Sequence, residues 1–224
     1  PLWKRKEQAK RESMGGAPKL LKVSDALKIR GVKQVLLGFF AYCGLEMTAG
    51  LWASSYLVLH HGMDANVAAR WASLFYLGIT FGRFLNGFVA DRMGNRTMIR
   101  VGLAVIAAGL AAVMLPVPNG WPALIGLVLV GLGCAPIYPS IIHETPKNFG
   151  EENSQAIIGI QMASAYTGST LIPPLFGALA DAASIALFPF FLALFAVLMV
   201  VMTEWLNRLV DREPQRTALA DSPG

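Results

Sequence analysis

The chain has 224 residues, of which 54% are hydrophobic and only 15% charged. A soluble domain carries roughly 25% charged residues, so this chain lacks the polar cover that a water-facing surface needs. Its net charge of +5 does not signal a nucleic-acid partner either, because residues 1–33 alone carry +7 and the remainder −2.

Residues 1–33 read as a basic segment on the cytoplasmic face, held at an anionic leaflet next to the first apolar run. Gly15-Gly16-Ala17-Pro18 breaks the segment, and Ser24-Asp25 is expected to cap a short surface helix over 26–33. The first residue is Pro1 rather than Met, which suggests a piece of a longer protein.

Six apolar runs follow. A bilayer core needs about 20 apolar residues in helical form. The runs are 34–59, the stretch between Arg70 and Asp91, 101–115, 121–142, 156–180 and 182–203. They do not alternate apolar and polar residues, as the roughly ten-residue strands of a membrane barrel would. The expected fold is therefore an all-α membrane protein with six transmembrane helices spanning 34–210. Residues 211–224 read as a disordered cytoplasmic tail. Lys and Arg favour the cytoplasmic side. The basic head, Arg92, Arg96, Arg100, Lys147, Arg208, Arg212 and Arg216 fall on one side, which places both termini in the cytoplasm and the protein in the plasma (inner) membrane.

Gly87-Phe88-Val89-Ala90-Asp91 ends the second run and Gly177-Ala178-Leu179-Ala180-Asp181 ends the fifth, 90 residues later. That offset is three spans, so the copies lie at opposite faces. Two inverted three-helix repeats of this kind build many secondary transporters.

Glu46 is the leading functional candidate. A charge at mid-bilayer costs about 2.5–3.5 kcal/mol on insertion scales, so this carboxylate should face protein or a wet cavity. Tyr42 and Gly50 lie one turn to either side on the same helical face. The role is that of a proton carrier or solute contact, or else of a structural polar contact to a neighbouring helix. Gln161 and Asn86 suit a hydroxyl-bearing ligand or a helix–helix hydrogen bond. Tyr138, between Pro136 and Pro139, marks a cavity wall or a hinge, because freed backbone carbonyls there need partners. Arg83 lies near enough to a span end to snorkel outward. Trp71 and Trp121 suit the interfacial belt, and Trp52 and Tyr56 could line an outer vestibule. His60-His61 reads as a surface pair rather than a metal site, and His143-Glu144 as interfacial. Cys43 and Cys134 fall inside apolar runs, where free thiols behave as small hydrophobes. No catalytic motif, metal-ligand spacing or phosphate loop appears, so neither an enzyme nor a cofactor is expected.

The segment Gly87-Phe88-Val89-Ala90-Asp91-Arg92-Met93-Gly94-Asn95-Arg96 resembles the signature loop of the major facilitator superfamily, Gly-x-x-x-Asp-Arg-x-Gly-x-Arg/Lys. Six spans behind a basic segment then look like the C-terminal half of that twelve-helix fold. A finer resemblance, to the fucose/glucose–galactose permease branch, rests on Tyr42-Cys43-Gly44-Leu45-Glu46 with Trp52, on Gly133-Cys134-Ala135-Pro136-Ile137-Tyr138-Pro139-Ser140, and on Ile158-Gly159-Ile160-Gln161. The resemblance implies alternating access around a central site, with Glu46, Tyr42, Asn86, Tyr138 and Gln161 binding a small polar solute such as a sugar or carrying protons. It also implies a conformational latch made by Gly87, Asp91, Arg92, Gly94 and Arg96. In the family this Asp contacts a helix N-terminus of the opposite half, so its partner would be the missing N-terminal six-helix half. The alternative is a non-transporting scaffold or sensor that binds another membrane protein.

Overall fold

The computed structural model describes residues 22–117 and 120–211, with Ala90 and Asp91 described by backbone only. Most of the expected basic head and the tail beyond Asp211 lie outside the described residues. The regular elements that are described are all helical: α1 (Val23–Ala26), α2 (Val32–His61), α3 (Ala65–Met93), α4 (Asn95–Val113), α5 (Trp121–Cys134), α6 (Ile137–Phe149), α7 (Glu151–Ala182), a 3-10 turn (Ile185–Leu187) and α8 (Phe188–Asp211).

Among the described residues, four stretches are long and apolar enough to cross a membrane: Val32–His61, Asn95–Val113, Trp121–Phe149 and Ile185–Asp211. Helices α3 and α7, at 29 and 32 residues, are long enough but more polar. Arg70, Arg83 and Arg92 interrupt α3, and Glu151, Glu152, Asn153, Gln155 and Gln161 interrupt α7.

Helix α2 is apolar nearly all round, the pattern of a helix enclosed by others. It packs against α7, α8 and α3, while α5 packs against α4 and α3. The core joins Phe39, Tyr42, Leu45 and Tyr56 of α2 to Phe75, Ile106, Leu127, Phe176 and Phe188.

Several boundaries differ from the sequence expectation. Ser24-Asp25 does not cap a helix over 26–33. A single turn forms at Val23–Ala26 with no side-chain cap, and Asp25 instead pairs with Lys28 at 2.9 Å. Gly31, at φ 92°, then ends the turn and starts α2. Asp211, expected in the tail, is the last residue of α8. The fourth run divides at Ala135-Pro136, because proline has no N–H to continue the ladder. Pro139 sits in the first turn of α6, where backbone N–H groups have no intrahelical partner to lose. Pro173-Pro174 lie inside α7 without ending it.

Two single-glycine hinges join helices on the basic side. Gly94 (φ 74°, ψ 152°) links α3 to α4, and Gly150 (φ 80°, ψ 150°) links α6 to α7. This backbone region is essentially open to glycine alone. The second glycine of the signature loop is thus a geometric requirement. A Cβ on Gly94 would meet nothing within 4 Å, so Gly94→Ala isolates backbone strain. It should cost about 1–3 kcal/mol, read as a lower melting temperature of the purified protein. An unchanged melting temperature would contradict the assignment.

Candidate functional site

The site is built where α2, α3 and α6 meet. Glu46 projects from the middle of α2 and Arg83 from α3. Arg83 Nη2 lies 3.8 Å from Glu46 Oε1, an ion pair without a close hydrogen bond. The Glu46 side chain is 19% exposed and that of Arg83 56%. Arg83 therefore does more than snorkel outward: it supplies the carboxylate with a counter-charge. Charges within apolar helices commonly find a partner of this kind.

Beside the pair opens a cleft of about 860 Å³, bordered among others by Arg83, Asn86, Gly87, Tyr138, His143 and Lys147. Asn86 presents a buried Oδ1 with no protein partner. Tyr138 is half-buried and donates to Met162 Sδ at 3.1 Å, tying α6 to α7. Its ring lies 5.0 Å from Phe39 and 6.5 Å from Tyr42. Tyr42 is fully buried, and its hydroxyl donates to the Cys134 carbonyl at 3.1 Å. That carbonyl belongs to the last residue of α5, where backbone carbonyls have no intrahelical donor. One turn beyond Glu46, the Tyr76 hydroxyl occupies the space a Cβ on Gly50 would need, 2.2 Å away. The face of α2 around Glu46 therefore carries a carboxylate and a glycine, with the Tyr76 phenol of α3 set against that glycine.

Gln161 lies apart from this group. It is fully buried, and its Nε2 donates to Thr145 Oγ1 at 3.0 Å. Thr145 in turn reaches the Ile141 carbonyl at 3.0 Å. The amide thus serves a contact between α6 and α7. Trp52 donates to the Pro173 carbonyl at 3.0 Å and presses its ring on Gly177, and Tyr56 is buried, so both are occupied in packing. Trp71 and Trp121 meet edge to face at 5.4 Å near the opposite end from the basic loops. Cys43 and Cys134 are free and buried.

At the basic end, Arg96 organises a polar cluster. Its Nε donates to Glu144 Oε1 at 3.2 Å, its Nη1 to Asp211 Oδ1 at 2.6 Å, and its Nη2 to Asn148 Oδ1 at 3.5 Å. Asn95 donates to the other Glu144 oxygen at 3.0 Å, and Lys147 lies 3.7 Å from it. One turn along α4, Arg100 holds Glu204 with two bonds, 2.7 and 2.8 Å. The start of α4 is thus fastened to the ends of α6 and α8. Arg92 is exposed, Gly87 is in open space, and the Asp91 side chain lies outside the described residues.

Sequence reasoning assigned Glu144 to the interface and missed it as the hub of this cluster. The available signal was an acid within an end rich in Arg and Lys, where cationic partners are at hand. Arg100 and Glu204 were likewise not matched, since they lie 104 residues apart.

These observations define a class: an all-helical integral membrane protein with a polar cleft and a charge pair set among apolar helices. The sequence profile of the Major Facilitator Superfamily matches residues 35–223, and the chain belongs to that superfamily. It is 22% identical over 192 residues to "Membrane protein MosC" of Rhizobium meliloti, covering 84% of this chain and 46% of that protein. Its fold is similar to that of the transporter FucP in the outward conformation, with a TM-score of 0.71 at 21% identity, over 86% of this chain and 47% of FucP. A second FucP structure, titled the E. coli fucose:proton symporter, gives a TM-score of 0.70 at 22% identity, again over 86% and 47%. A POT family transporter complexed with a thioalcohol-conjugated peptide gives 0.65 at 18% identity, over 78% of this chain and 37% of that one. The chain spans about half the length of the curated relatives it matches.

Proposed function

We propose that this chain is the C-terminal six-helix half of a secondary active transporter that moves a small polar solute, such as a sugar, by alternating access with proton coupling. The observation that carries the reading is the Glu46–Arg83 pair at 3.8 Å beside the polar cleft. A carboxylate that can exchange a cationic partner for a proton or a solute hydroxyl is what a coupled carrier requires. Asn86, Tyr138 and Tyr42 supply further polar groups around it, and Gln161 acts through the joint between α6 and α7. Placement in the fucose permease-like branch is supported by the motifs around Glu46, Tyr138 and Gln161 and by likeness of fold to a symporter titled for fucose and protons.

An inverted repeat, with α1–α4 followed by α5–α8 as two three-span units, is supported by the packing. The pairing of α2 with α7 corresponds to that of α5 with α3, and the pairing of α2 with α8 to that of α5 with α4. A pair of glycines adds to this. Gly78 of α3 abuts the Val128 carbonyl of α5, and Gly168 of α7 abuts the Phe40 carbonyl of α2, at Cβ distances of 2.6 and 2.4 Å. They stand 90 residues apart, the offset of the two Gly-x-x-x-Asp segments.

On this reading the basic end faces the cytoplasm in the plasma membrane, both termini lie on that side, and residues 1–33 connect to the N-terminal half. Gly87, Asp91, Arg92, Gly94 and Arg96 form the latch, with Arg96 anchored by Glu144. The exposed α3 residues Phe81, Phe84 and Phe88 face lipid or the other half.

The reading is tested by a thermal-shift screen of the full-length protein against sugars and small acids, including L-fucose, D-galactose and D-glucose. A ligand that binds the folded state raises the melting temperature, by an amount that grows with its concentration over Kd. A sugar that stabilises the protein and is accumulated in proteoliposomes under a proton gradient is the expected result. Stabilisation only by another membrane protein would favour the scaffold reading.

A further inference from the structure

The cluster around Arg96 borders a second, smaller cavity, apart from the cleft beside Glu46 and Arg83. It lies among the ends of α2, α4, α6 and α8, with space of about 20 Å³, and its polar lining is Gln34, Arg96, Glu144, Asn148, Thr203 and Asn207. About 10–15 Å³ of such space is enough for one water. Asn207 is 6% exposed, and its buried Nδ2 has no protein hydrogen-bond partner. A buried donor left without a partner is destabilising.

We propose that this cavity holds one ordered water that accepts from the Asn207 amide and bonds onward to the polar wall formed by Gln34, Thr203 and Glu144. Water suits the site better than a small cation. The unsatisfied group is a donor, which a cation cannot serve, and the Arg96 guanidinium borders the same space. Were the amide turned the other way, water would still satisfy it, because water both donates and accepts. Neither Gln34 nor Asn207 bonds directly to the Arg96 cluster. The water therefore gives α2 and α8 a hydrogen-bonded link to the anchor of the α3–α4 loop. Asn207 holds that water in place, and the inference stands independently of which solute is carried.

The test is a structure of the complete protein at a resolution that orders waters. One density peak is expected about 2.7–3.2 Å from the Asn207 amide, present in Asn207→Ser and lost in Asn207→Leu, whose side chain fills the space. Crystals grown with Rb+ in place of Na+ should leave the peak height unchanged. The proposal is overturned by an empty cavity, by a peak that persists in Asn207→Leu, or by one that strengthens with Rb+.

Discussion

On the proposed coupling role, Glu46→Gln in the full-length protein is expected to lower proton-driven solute accumulation by roughly tenfold or more, the effect of about 1.4 kcal/mol on a barrier. The substitution keeps the size and hydrogen-bonding capacity of the side chain but removes the group that can exchange a proton. Arg83 Nη2 and Glu46 Oε1 stand 3.8 Å apart, beyond a close hydrogen bond, so replacing the carboxylate with an amide of the same shape breaks no hydrogen bond of the pair. The variant should therefore fold and melt close to wild type. Proteoliposomes with an imposed pH gradient separate the outcomes. Loss of accumulation with downhill exchange retained assigns Glu46 to coupling. Unchanged accumulation with unchanged dependence on the gradient would remove Glu46 from the mechanism and leave it a structural contact.

Gly131→Ala should damage the fold itself. A Cβ at that position would lie 2.2 Å from the Phe75 carbonyl oxygen and 3.0 Å from its carbon. Both are backbone atoms of α3, so no side chain can move aside and the two helices must separate. Overpacking of this kind costs about 1–3 kcal/mol. In a membrane, where small residues let helices approach closely, the lost contact cannot be recovered by burying apolar area elsewhere. Gly159→Ala is the control: nothing lies within 4 Å of its Cβ position, and alanine gains about 0.5–1 kcal/mol in a helix interior. The expected melting temperatures fall in the order Gly159→Ala, wild type, Gly131→Ala. A Gly131→Ala protein that melts with wild type would mean that α3 and α5 are less tightly apposed.

Glu46 was legible as a site from the chain alone because a lone carboxylate among apolar residues has few tolerable environments. The partner was not. Arg83 is 37 positions away and reads as a snorkelling residue until α2 and α3 are set side by side. Gln161 illustrates the reverse case. Its ligand-like amide was visible, but only the packing of α6 on α7 placed Thr145 within 3.0 Å. The same limit explains why Ser24-Asp25 read as a cap. Capping residues mark where a helix could begin, while the left-handed Gly31 and the docking of α2 decide where it does.

The sequence by itself determined the solvent, the helical class and the superfamily. Long non-alternating apolar runs leave helices as the way to satisfy the backbone, and the Gly87–Arg96 loop is a local pattern carried by adjacent residues. Only the tertiary structure decided which charges pair. Glu46 with Arg83, Arg96 with Glu144 and Asp211, and Arg100 with Glu204 join residues from 37 to 115 positions apart. Such pairing depends on helix packing at ångström scale, set by glycines whose missing side chains let one backbone rest against another.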